Sequence, residues 1–258
     1  MTAQQENEVL ATVLDHQVTR MMLSKLVGDS GLGSDFISVI TSMLSHRDSF
    51  ISNNHKEINS SGAHYKVRKS SAFLSPLFYQ QYTEHNFEDL VALAVEHKFV
   101  LSLESAPASL ANLANVYLPV EVPDDLASNQ SKHWMVIFLD VAQKTMYYLN
   151  PLSTAAGLAQ ETISVQLVLN QCAQFLQDLF GALTVPLQMA ATKKYDLCYS
   201  EWTANSVTPK DTGLIAITHM YFLAFGCPIF LNNILLDNAR SNFAHWIINA
   251  GESSLLPI

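Results

Sequence analysis

The chain reads as an α+β protein. Two observations predict this class. Helix-spaced apolar residues fill both ends of the sequence, and between them lies a cluster of segments rich in β-branched and aromatic residues, which fit a pleated, half-buried surface. With 258 residues and no composition break, a single domain over 1–258 is expected. The protein is 49% hydrophobic and 14% charged, which describes an ordered, globular chain.

From the N-terminus, the intervals among Val9, Leu10, Val13, Leu14, Val18, Met21 and Met22 predict a helix over Glu8–Leu26. Residues 1–19 are therefore expected to be a helical extension. Gly28, Gly31 and Gly33 punctuate the chain. A second helix, capped by Ser34 or Asp35, should bury Phe36, Val39, Ile40, Met43 and Leu44. Residues 51–70 are polar and predict a loop, and Asn86–His97 a helix.

Three strands are then expected: Asn115–Val122, His133–Asp140 and Lys144–Leu149, separated by turns at Pro123-Asp124-Asp125 and Val141-Ala142-Gln143. Met135–Leu139 is apolar throughout, as in a central strand covered on both faces. A helix over Thr162–Phe180 follows, then short strands at Leu183–Met189 and Ala204–Val207. Helices at Asp211–Phe225 and Asn238–Ala250 end the chain, each stopping at a glycine.

Composition excludes several functions. The net charge is −9 and no basic run occurs, which argues against a nucleic-acid partner. Cys172, Cys198 and Cys227 are odd in number and widely spaced. That pattern suits a reducing compartment and predicts neither a disulfide framework nor a metal site, and no cofactor motif is present. The N-terminus lacks a signal-peptide pattern, and the apolar stretch Ile215–Leu236 is interrupted by polar residues and a proline. An intracellular protein, of the cytoplasm or nucleus, with no membrane span is expected.

Three segments carry candidate chemistry. His133-Trp134 opens an apolar strand, Asn150 follows the end of the next, and Asp211-Thr212-Gly213 opens an apolar helix. A histidine and an amide at matching strand ends can lie side by side, with Asn150 orienting one ring nitrogen of His133 and leaving the other as a base. A nucleophile at a helix N-terminus benefits from the positive end of the macrodipole. His219, Trp202 and Trp246 read as core residues, and Cys198 as a structural thiol.

In order and spacing, HWMVIFLD, YYLNPL and DTGLIAITHMYFLA resemble the SUMO and ubiquitin-like-protein-specific cysteine proteases, related to the adenovirus maturation protease. SDFISVITSML, FLSPLFY and NARSNFAHWI extend the resemblance over about residues 20–250. It implies a central mixed sheet flanked by helices. It also implies His133 as general base, Trp134 as an aromatic wall beside the substrate tail, Asn150 at the position of the family's Asp, and Thr212 at that of the catalytic Cys. The oxyanion-hole Gln is absent, with Asn205 or Ser206 in its region. A threonine hydroxyl is a far weaker nucleophile than a thiolate. The departures therefore imply a pseudoprotease that binds a ubiquitin-like protein (SUMO or ubiquitin) or its conjugate. The alternative is a working or nucleophile-mutated isopeptidase that cleaves after a C-terminal Gly-Gly.

Overall fold

The computed structural model describes residues 3–28, 31–59, 70–84, 113–125, 128–152, 161–182, 188–195, 208–225 and 233–249. After a short helical turn at Ala3–Glu6 come β1 (Val9–Val13), β2 (His16–Thr19), α1 (Arg20–Val27), α2 (Ser34–Asn59), β3 (Ser70–Phe73) and α3 (Pro76–Glu84). β4 (Leu113–Asp125), β5 (Ser128–Asp140), β6 (Thr145–Leu149), α4 (Ile163–Ala182), β7 (Ala191–Lys194), α5 (Thr212–Phe225) and α6 (Asn233–Asn249) complete it.

β3 to β7 form one five-stranded mixed sheet in sequence order. β4, β5 and β6 make an antiparallel meander. The two edge strands run parallel to their neighbours. The pleat sends alternate residues to opposite faces. Tyr117, Trp134, Val136, Phe138 and Leu149 join a core with Leu26 of α1, Ile37 and Ile40 of α2, Leu214 to Ile217 of α5, and Ile247 of α6. Leu118, Val120, Met135, Ile137 and Leu139 pack on the other face against Phe78 of α3 and Phe175 and Leu176 of α4. Each such side chain contributes roughly 1.5–3 kcal/mol through its burial. β5 is thus the doubly covered central strand that its uninterrupted apolar run predicts.

Several elements differ from the sequence expectation. The predicted helix over Glu8–Leu26 is an antiparallel hairpin followed by α1. Val13 and Val18 are buried, whereas Val9 and Leu10 are 44% and 42% exposed. Leu14 adopts φ 53° at the turn. The β-branched residues Val9, Thr12, Val13, Val18 and Thr19 favour extended backbone, and that preference prevails over the helical spacing. Thr19 then caps α1 by accepting from the Met22 amide.

α2 continues to Asn59 through part of the expected loop. The expected turn at Pro123-Asp124-Asp125 is strand, since β4 runs to Asp125. The expected strand at Leu183–Met189 falls partly outside the described residues. The observed strand lies further on, at Ala191–Lys194. The helix expected at Asn86–His97 and the strand at Ala204–Val207 lie outside the described residues, as do Cys198, Trp202 and Cys227. Among the described residues, no helix is long and apolar enough to cross a membrane.

Candidate functional site

The site lies where the start of β5's apolar run meets the N-terminus of α5. A turn over Thr208–Asp211 leads into α5 and is closed by the Asp211 amide donating to the Thr208 carbonyl at 3.0 Å. The Asp211 carboxylate accepts from the Thr208 hydroxyl at 2.7 Å and from Arg240 Nη2 at 2.9 Å. Arg240, on α6, also donates to the carbonyls of Leu26 and Gly28. One guanidinium therefore ties α1, α5 and α6 together at the helix start.

Thr212 is fully buried. Its Oγ1 donates to the Pro209 carbonyl at 2.6 Å and accepts from the Trp134 backbone N–H at 2.9 Å. The hydroxyl proton is thus held by one backbone group while a lone pair holds another. α5 is pinned to β5 at the residue after His133.

Trp134 is 4% exposed and its Nε1–H donates to the Leu32 carbonyl at 2.9 Å. The indole packs on Gly213, where an added Cβ would sit 3.0 Å from both Trp134 Cδ1 and Leu32 Cβ. Trp134 is thus a buried core side chain, and the missing Cβ of Gly213 leaves room for the Cδ1–Nε1 edge of its indole at the helix start.

His133 is buried at 4% exposure. Its Nδ1 lies 2.6 Å from Asp124 Oδ1, and its Nε2 has no hydrogen-bond partner. The antiparallel register sets Val122 opposite His133, which brings Asp124 diagonally across from the ring on the same face. The sequence reading expected Asn150 in this role, and the structure gives the contact to Asp124. Asn150 is buried, donates through Nδ2 to Glu161 Oε2 at 2.8 Å and accepts the Leu152 amide at 3.2 Å. Glu161 in turn lies 3.4 Å from Lys194 Nζ of β7.

His133 and Thr212 are therefore neighbours through the Trp134 amide, but no hydrogen bond joins their side chains. Asn205 lies outside the described residues. The sequence reading missed Asp124, Glu161 and Arg240. Asp124 was legible only with the β4–β5 register, and a turn placed at Pro123–Asp125 hides it.

His219, in the middle of α5, is fully buried, and burial pushes its pKa down to about 3. Cys172 of α4 is buried on the far face of the sheet, with its pKa raised by desolvation. A thiol held protonated in this way is a poor nucleophile. Among the described residues, no group of three or more His, Cys, Asp or Glu side chains is placed to hold a metal ion.

No family model matches the chain, and no curated protein matches it. Solved structures do. The C-terminal Ulp1 protease domain in complex with Smt3, the yeast ortholog of SUMO, superposes with a TM-score of 0.62 at 14% identity. That match covers 96% of this chain and 90% of the other. The Ulp1-like SUMO protease catalytic domain of Chaetomium thermophilum gives 0.59 at 15% identity, over 96% and 85% of the two chains. A Ulp1 structure whose catalytic cysteine is oxidised to a sulfenic acid gives 0.59 at 13% identity, over 97% and 96%. The α+β arrangement, with its five-stranded mixed sheet between helical layers, is the fold of the Ulp1-type SUMO protease catalytic domain.

Proposed function

We propose that this chain is a catalytically silent protein of the SUMO-protease fold that acts by holding a ubiquitin-like protein or its conjugate. The observation that carries this reading is the state of the Thr212 hydroxyl. It is buried, its proton is donated to Pro209, and its oxygen accepts the Trp134 amide. To attack a carbonyl, it would have to break both hydrogen bonds before meeting substrate, and the buried Trp134 N–H left without an acceptor would cost roughly 1–3 kcal/mol. That cost comes on top of the weak nucleophilicity of a threonine hydroxyl with no base hydrogen-bonded to it. The partner class is supported by the fold shared with a Ulp1 domain bound to Smt3.

One observation favours an isopeptidase instead. The His133 imidazole sits on a carboxylate and leaves Nε2 unoccupied, as a general base would. The described residues present no nucleophile hydrogen-bonded to it, so the binding reading is the stronger.

The test has two arms run on the wild-type chain. SUMO and ubiquitin are titrated calorimetrically, and release of a fluorophore from the C-terminus of each is followed. Binding tighter than ~1 mM, about −4 kcal/mol, without release above buffer is the expected result. Absence of binding by both would remove the partner. Release abolished by Thr212→Val would establish an enzyme.

A further inference from the structure

We infer that Asp124 is the residue that positions His133 in this chain, and that Asn150 serves Glu161 instead. This goes beyond the binding reading and holds whether or not a ubiquitin-like partner is found. It rests on the side-chain geometry of three adjacent strands.

The first strand is β4. Asp124 is half-buried, and its Oδ1 is 2.6 Å from His133 Nδ1, the short distance of a charge-assisted bond. His133 itself is almost wholly enclosed, at 5% side-chain exposure. Its Nε2 is buried without a hydrogen-bond partner. A proton on Nε2 would be a buried, unsatisfied donor, whereas a proton on Nδ1 meets the carboxylate. The geometry thus selects the Nδ1–H tautomer with a bare Nε2, the arrangement in which an acid orients an imidazole as a base.

The groups beyond β6 close off the alternative. Both ends of the Asn150 amide are in use, Nδ2 on Glu161 and Oδ1 on the Leu152 amide. Glu161 has a side chain only 5% exposed and is paired with Lys194. A carboxylate at position 150 would face the Glu161 carboxylate at a distance where the amide now donates, and like charges that close disfavour each other. An amide is therefore the side chain that Glu161 requires there. The orienting acid then comes from the strand preceding His133, not from the one following it.

The inference is tested by long-range proton–nitrogen NMR of ¹⁵N-histidine protein at about pH 8.5, where ordinary histidines are neutral. Wild type should show His133 as the Nδ1–H tautomer with a strongly downfield Nδ1 proton. That proton should be lost in Asp124→Ala, return upfield-shifted in Asp124→Asn, and stay in place in Asn150→Ala. An Nε2–H tautomer in wild type would overturn the assignment without any variant. So would a downfield proton that survives Asp124→Ala or disappears in folded Asn150→Ala. The measurement uses neither partner nor turnover, so its failure would leave the Thr212 argument standing.

Discussion

The two halves of the site differ in what their polar atoms are doing. On the α5 side, every group at the helix start is committed to structure. Asp211 holds Thr208 and Arg240, and Thr212 holds Pro209 and Trp134. On the β4–β5 side, His133 is oriented by Asp124 and keeps one ring nitrogen without a hydrogen-bond partner. The α5 half is a joint between helix and sheet, while the His133 half has the form of a reactive group. Removing a joint costs stability. Removing a reactive group usually costs none and sometimes adds some, because active sites sacrifice stability for function. The comparison can therefore be broken by stability measurements alone.

The largest effect is expected for Thr212→Val, which keeps the shape and deletes the hydroxyl. It orphans the buried Trp134 N–H and leaves the Pro209 carbonyl only its 3.4 Å contact from the Thr212 amide, and should cost about 2.5 kcal/mol in urea unfolding. A neutral or stabilising result would return Thr212 to the reactive class.

Arg240→Met comes next. It leaves Asp211 and the Leu26 and Gly28 carbonyls without their shared donor. About 2 kcal/mol should be lost by the same assay, since hydrogen bonds to charged groups contribute more than neutral ones.

His219 gives the comparison a pH dependence. In the folded chain its pKa is lowered from 6.5 to about 3 by burial, so the native state holds it neutral. As pH falls below about 6.5, the unfolded chain binds a proton that the folded one refuses. Its contribution is complete above that pH and is lost on acidification towards 3, at up to about 1.4 kcal/mol per pH unit. Urea midpoints between pH 7 and 4.5 should show a shallower decline in His219→Gln than in wild type.

The smallest effect belongs to Gly213→Ala. Its Cβ would press on Trp134 and Leu32 at 3.0 Å. Both neighbours are side chains that can give slightly, so about 1 kcal/mol is expected, read as a lowered urea midpoint.

The sequence carried the fold further than the site. The apolar run Met135–Leu139 and the intervals from Phe36 to Leu44 identified the central strand and α2, because burial on a defined face leaves a periodic trace. The hairpin at Val9–Thr19 left a misleading one. Its apolar residues recur at helical intervals, yet three of them, Val9, Leu10 and Leu14, face solvent. In the site, His133, Asn150 and Thr212 were visible as positions, but their partners were not. Asp124 reaches His133 through strand register, Glu161 reaches Asn150 across a chain segment, and Arg240 reaches Asp211 from a distant helix. Those contacts are set by tertiary geometry, which neither spacing nor propensity records.

The measurement that tests the central claim most directly is intact-mass analysis after incubation with SUMO carrying a C-terminal electrophile. Wild type and Thr212→Cys are treated side by side. If the scaffold lost only its nucleophile, the thiol placed at the α5 N-terminus beside His133 should react. Wild type should stay at its original mass, and Thr212→Cys should gain one SUMO adduct that disappears when His133→Ala is added. An adduct on wild-type Thr212 would contradict the account.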